Sequence, residues 1–190
     1  MRPILNKLLD ERKKAAEKRE APLFTIQKEY AFTEDLRSVR HQIMRFGQVL
    51  SLEKLQRKLN ETNFINYLEG KTAQLDWWFK NGSSGKEAYC FKYKNTATQE
   101  ESLFYPDWIL KFKDGRIGIS DTKDGITAVN TEGRAEAFAR KIKVLNAEGL
   151  NIVGGIVLQE NAQWYFNCAE NYAYIKGKLG EDWQLLESIF

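Results

Sequence analysis

From residue 60 onward the apolar positions switch between helical and strand spacing in a regular order. Phe64, Tyr67 and Leu68 recur at helical spacing, with Asn60 suited to cap the start of that helix and Gly70 to end it. Leu75, Trp77 and Phe79 then alternate as one face of a strand, and Tyr89, Phe91 and Tyr93 as one face of another. Trp108, Leu110 and Phe112 repeat the pattern, and Asp114-Gly115 is a hairpin signal. The chain returns through Ile117, Ile119, Asp121 and Lys123, which share a face because side chains point the same way every second residue. Thr131 stands where it would cap a helix carrying Ala135, Phe138, Ile142 and Leu145, closed by Gly149. Residues 152–158 form a continuous apolar run, as expected of a strand covered on both faces. Helix, strands, helix, buried strand is the order of an α/β domain.

The first 59 residues read differently. Residues 3–20 predict a charged helix with Ile4, Leu5, Leu8 and Leu9 on one side and Pro3 in its first turn, its charges forming a solvated face. Residues 23–32 alternate through Phe24, Ile26, Tyr30 and Phe32 as a strand would, and residues 35–46 and 51–59 have helical spacing broken at Gly47. No repeat or low-complexity linker marks a boundary. Residues 1–59 are therefore expected to be a mainly helical N-terminal extension packing on a core of residues 60–190.

Composition narrows the function classes. A chain of 190 residues with 43% hydrophobic and 13% aromatic content is long enough to bury a real core as one domain. Its longest apolar run is too short to span a bilayer, and the charges near the N-terminus stand where a secretion signal needs apolar residues. The two cysteines, Cys90 and Cys168, cannot build a zinc cluster or a disulfide framework, which fits a reducing cytoplasm. The formal charge of +3 lies entirely in residues 1–20, with seven basic against four acidic residues, while the remaining 170 hold 22 of each sign. Net charge thus gives the core no general affinity for nucleic acid. A basic surface has to be local, for instance Lys80, Lys86, Lys92 and Lys94. The single histidine, His41, sits in a helical pattern outside the core, which argues against histidine nucleases, zinc hydrolases and serine triads.

The candidate chemistry lies in Pro106-Asp107, thirteen intervening residues, then Asp121-Thr122-Lys123. The hairpin at Asp114-Gly115 brings Asp121 back alongside Asp107, so two carboxylates and a lysine gather at adjacent strand ends, an arrangement suited to an ion with oxygen ligands. Gly82-Ser83-Ser84-Gly85-Lys86 superficially suggests a phosphate loop. It has two residues between its glycines where four are needed, and Glu87 replaces the Ser/Thr that would hold magnesium, so it reads as a turn.

With the preceding Asp76-Trp77-Trp78-Phe79-Lys80-Asn81 block, this pattern resembles the PD-(D/E)XK nuclease superfamily, and within it the nuclease domain of type III restriction enzymes and related helicase–nuclease proteins. The resemblance covers roughly residues 60–160. It implies a restriction-endonuclease-like core, a central mixed sheet flanked by helices, in which the strand near residues 87–94 is an inserted hairpin. It implies a magnesium-dependent DNA endonuclease, with manganese able to substitute, in a restriction or phage-defence system. Asp107 and Asp121 would be metal ligands, the carbonyl of Thr122 would complete the protein's share of the shell because its side chain faces away, and Lys123 would be catalytic. The superfamily's helix acid has two candidates: Glu61, preferred because it lies one turn from the core anchor Phe64, and Glu69. Arg134 is the best match for a cation facing the site from the following helix, with Arg140 and Lys141 as alternatives, and Lys80 is a candidate DNA or phosphate contact. Trp77, Trp78 and Phe79 read as core in preference to base-stacking residues. Partners implied are DNA, a helicase or translocase module, and a methyltransferase or specificity subunit. The rival functions are a non-catalytic DNA-binding module of the same fold and a nuclease for RNA or repair intermediates.

Overall fold

The computed structural model describes residues 59–81, 88–94 and 99–190, together with the backbone of residues 42–44. The expected helices at 3–20 and 51–59, the strand at 23–32 and the turn at 82–86 lie outside the described residues, apart from Leu59. A seven-stranded mixed sheet runs in the order β1-β2-β5-β6-β7-β8-β9, built from Gln42–Met44, Leu75–Lys80, Trp108–Phe112, Ile117–Lys123, Ile152–Glu160, Gln163–Asn167 and Gln184–Leu185. All neighbours pair antiparallel except β6 and β7, which are parallel from Ile117↔Ile152 to Lys123↔Leu158. That one parallel step spans two helices, α2 (Gly125–Val129) and α3 (Glu132–Ala147). A separate hairpin of β3 (Phe91–Lys94) and β4 (Glu101–Phe104) is inserted before β5. No described helix is long and apolar enough to cross a membrane.

The sheet separates two cores. Helix α1 (Leu59–Glu69) lays Phe64 and Leu68 on one face, against Trp78, Trp108, Leu110, Phe112 and Val157. Helix α3 lays Ala135, Phe138 and Ile142 on the other, against Ile119, Ile156 and Leu158 and the Phe91 and Phe104 rings of the inserted hairpin. The 135, 138, 142 spacing is one stripe of a 3.6-residue helix. Val157 belongs to the first core while Ile156 and Leu158 belong to the second, which is why β7 reads as unbroken apolar sequence. Two glycines interrupt that run for steric reasons. A Cβ at Gly154 would stand 2.1 Å from the Ile119 carbonyl oxygen, and one at Gly155 would stand 2.3 Å from that of Asn167.

Several sequence expectations need correction. Residues 42–44 form an edge strand on β2 and are not helical: pairing satisfies the open backbone groups of the β2 edge, which local spacing cannot register. In β2 the face 75/77/79 breaks, because the register shifts between Leu75 and Trp77, leaving Asp76 as an extra residue in the ladder. Trp78, fully buried, therefore shares the α1 face with Leu75, and Phe79 points the other way. Asn60 lies inside α1, and its side-chain amide donates to the Lys123 carbonyl at 2.9 Å, so it docks the helix on β6 and does not cap it. Thr131 holds the N-cap position of α3, but its hydroxyl makes no capping bond; its carbonyl receives the amides of Arg134 and Ala135. The Asp114-Gly115 turn is present, with Gly115 at φ +98° and Asp114 Oδ1 accepting from the Arg116 amide.

Candidate active site

The site forms where β5 begins and β6 ends. Asp107 precedes the first residue of β5, and Trp108 pairs with Ser120 on β6, which sets Asp107 beside the Asp121–Lys123 end of the neighbouring strand. Asn81, just past β2, fixes the approach of Asp107. Its amide nitrogen Nδ2 donates to the carbonyls of Pro106 (2.7 Å) and Tyr89 (2.8 Å), its Oδ1 accepts from the Tyr89 amide (2.9 Å), and its backbone amide donates to the Asp107 carbonyl (2.7 Å). Asn81 is almost fully buried, and its bond to the Pro106 carbonyl is made away from water. Read as sequence, Asn81-Gly82 signals a turn; nothing local indicates that the side chain turns inward to clamp two strands' worth of loop.

Asp107 is held at both oxygens. Oδ2 accepts from the Thr122 backbone amide at 3.0 Å and from Thr122 Oγ1 at 2.8 Å, while Oδ1 accepts from Lys80 Nζ at 2.9 Å. Trp108 Nε1 in turn donates to Thr122 Oγ1 at 3.2 Å. This corrects one expectation. The Thr122 side chain is on the opposite face of β6 from Asp121, as alternation requires, yet it does not face away from the site, because the Asp107 carboxylate reaches it from the strand end. Burial pushes the Asp107 carboxyl upward, but the Lys80 and Lys123 ammoniums and the bonds from Lys80 and Thr122 outweigh it and hold the group below its usual range.

Asp121 has the opposite balance. It is 2% exposed, and its Oδ2 is ion-paired with the Lys123 ammonium. Burial first, and then the nearby Asp107 charge, push its carboxyl up to about 7 against the pull of Lys123. Asp107 and Asp121 thus sit close enough to each other and to Lys123 for both carboxyls to be shifted.

The remaining candidates fall in three places. Glu61, in the first turn of α1, is buried with its Oε2 3.5 Å from Lys80 Nζ, so it joins Asp107 through that ammonium. Glu69 is committed elsewhere, accepting from Trp78 Nε1 at 2.6 Å at the far end of the helix. Arg134 and Arg140 are exposed, Arg140 facing Glu136 at 3.9 Å, and Lys141 is half-buried. Lys80 turns inward, bridging two acids and lying 4.5 Å from the centroid of the Trp108 ring. Lys92 pairs with Glu101 at 3.7 Å, and Lys86 lies outside the described residues.

Among the described residues no three His, Cys, Asp or Glu side chains converge as metal ligands. Two carboxylates do suit a small, hard divalent ion that keeps most of its waters. Asp121 Oδ2 is buried against the Lys123 ammonium, and Asp107 accepts two hydrogen bonds at Oδ2 and one at Oδ1. Asp107 and Asp121 are the donors such an ion would use, with Lys123 displaced from Asp121. No family model, curated protein or solved structure matches this chain.

Proposed function

We propose that this chain is a metal-dependent endonuclease that hydrolyses DNA phosphodiester bonds, with a restriction-endonuclease-like core, acting in a restriction or phage-defence setting. The observation that carries the reading is the meeting of Asp107 and Asp121 with Lys123 at adjacent antiparallel strand ends, where one carboxyl is held below its usual range and the other, buried and paired with Lys123, is pushed above it. When bound, a divalent ion supplies charge neutralisation at the phosphate and a water acidic enough to attack it. Asp107 and Asp121 are its proposed ligands, with the Thr122 carbonyl beside them. Thr122 and Asn81 keep Asp107 in place, which removes the need to reorganise it during the reaction. Lys123 stabilises charge that develops on the phosphate oxygens once Asp121 turns from it to the ion.

Plasmid cleavage with magnesium, manganese or chelator, alongside metal titration, tests this. Asp107→Ala and Asp121→Ala are expected to abolish both ion binding and cleavage. Lys123→Ala removes a cation from Asp121, so ion affinity should hold or rise while cleavage falls by roughly 10²–10³, the scale of one preorganised electrostatic group. Full cleavage by Lys123→Ala would sink the catalytic assignment. One observation favours a second reading, a DNA-binding module without chemistry: Glu61 is tied to Lys80, so only two carboxylates are left for an ion. Wild-type protein that binds DNA but neither magnesium nor manganese would establish that alternative.

A further inference from the structure

Residues 168–183 connect β8 to β9 as irregular chain, yet aromatic side chains pin them beside the site. Tyr172 is buried, and its hydroxyl donates to the Ala128 carbonyl of α2 at 3.0 Å. The Tyr174 hydroxyl donates to Glu160 Oε2 at 3.4 Å, and Glu160 closes β7 two residues beyond Leu158, the partner of Lys123. Trp183 packs on both tyrosine rings at 5.7 Å, and its Nε1 donates to the Ala173 carbonyl at 2.9 Å. Burial first, then Tyr174 and the Asp121 charge, raise the Tyr172 phenol, in keeping with a place next to the site.

From that base the chain projects one tight turn. Ile175 bridges Lys178, whose amide donates to the Ile175 carbonyl at 2.9 Å, and Gly177 supplies the positive φ of +77° that the turn needs. Ile175 is 66% exposed, and Lys176 and Lys178 are exposed beside it. Neither ammonium has an ion-pair partner among the described residues, whereas Lys71, Lys80, Lys92, Lys123 and Lys143 all do. Glu181 and Asp182 stand in the next turn, which the Trp183 amide closes by donating to the Gly180 carbonyl at 3.1 Å. A tip held on a buried aromatic base loses little freedom when it engages a partner. An apolar side chain beside two unpaired ammoniums suits a partner with regularly spaced anions and apolar surface between them. The phosphates of duplex DNA and the groove beside them have that character.

We propose that the turn at residues 175–178 is a contact for duplex DNA, with Lys176 and Lys178 on phosphates and Ile175 in the minor groove beside them. The inference rests on the reading above that this chain acts on DNA. Fluorescence anisotropy of a labelled DNA duplex in chelator, repeated across salt concentrations, tests it without any cleavage. Lys176→Gln/Lys178→Gln should weaken binding by roughly tenfold or more at about 0.1 M salt and flatten the slope of log affinity against log salt by about 1.8, the share of two phosphate contacts. Ile175→Ser should weaken binding and keep the slope. Lys111→Gln/Lys113→Gln removes the same charge near the Asp114-Gly115 turn, at the opposite end of the sheet, and should bind as wild type. Circular dichroism checks the fold of each variant, and manganese affinity should stay at the wild-type value in all of them. Wild-type binding by either tip variant, or an equal loss in the Lys111/Lys113 pair, would overturn the inference and leave the nuclease reading standing. Wild type that binds no duplex, or binds an RNA duplex more tightly than DNA, would overturn the inference together with the DNA substrate.

Discussion

Replacing Thr122 with Val tests whether its hydroxyl, beyond its backbone, organises the site. The hydroxyl donates to Asp107 Oδ2 at 2.8 Å and accepts from the buried Trp108 Nε1 at 3.2 Å. A hydrogen bond to a charged group contributes about 1.5–3 kcal/mol, and leaving a buried donor unsatisfied costs about 1–3 kcal/mol. The two losses do not add fully, because Asp107 retains the Thr122 amide at 3.0 Å and the Lys80 ammonium at 2.9 Å. Thr122→Val should therefore destabilise by about 2–4 kcal/mol, a large share of the ~5–15 kcal/mol typical of a domain. Thr122→Ser keeps both bonds and loses one methyl, about 1 kcal/mol. Urea unfolding in chelator at pH 7, with the slope unchanged between variants, measures the difference. The Asp107 carboxyl should also rise toward its ordinary value in the Val variant, since one of the bonds opposing its burial is gone. A Val variant within about 0.5 kcal/mol of the Ser variant, the scatter of ordinary surface changes, would refute this role for the hydroxyl.

Two further outcomes follow from the same contacts. Because the Asp121 carboxyl is raised from 3.8 to about 7 in the folded state, the metal-free fold binds its proton more tightly than the unfolded chain. The contribution of Asp121 to stability is then complete below about pH 4 and is lost as pH rises toward 7; Asp121→Asn should flatten that fall in melting temperature, and an unchanged profile would contradict the assignment. Ion binding needs the carboxylate, so wild-type manganese affinity should weaken about tenfold per pH unit below 7 and level off above it, and a pH-independent affinity would argue against Asp121 as a ligand. Asn81→Ala strips the Pro106 and Tyr89 carbonyls of a buried donor and the Tyr89 amide of its acceptor, a cost of about 2–4 kcal/mol, together with weaker ion binding as Asp107 loosens; wild-type melting and affinity in this variant would refute the clamp.

The elements legible in the sequence are those whose determinants are local. The hairpin from Trp108 to Lys123 has alternating faces and a turn that requires a positive φ at Gly115, all within sixteen residues. Helix α3 shows its stripe within three turns. The β8 strand escapes because its turn, Asn161-Ala162, places both central residues at positive φ without a glycine, so the usual signal is absent. The edge strand at 42–44 escapes because its partner lies more than thirty residues away, at residues 78–80. Asp76 escapes because a bulge exists only in relation to the partner strand.

The same distinction runs through the site. Periodicity within β6 aligns Asp121 with Lys123, and the hairpin returns them to Asp107. Whether a carboxylate so placed is ionised, and what else touches it, depends on side chains that reach across strand ends from β2 and α1. Lys80 belongs by alternation to the α1 face and would be solvated were Glu61 and Asp107 not both within 3.5 Å. Thr122 serves Asp107 although it points away from Asp121, because β5 stops at Trp108: beyond Ser120 the β6 strand keeps β7 on one side but has no partner on the other among the described residues, and a side chain entering from the loop there can reach either face. Alternation is a rule about the middle of a sheet. At its ends, where Asp107 and Lys123 stand, the burial and charge of each group have to be read from the contacts themselves.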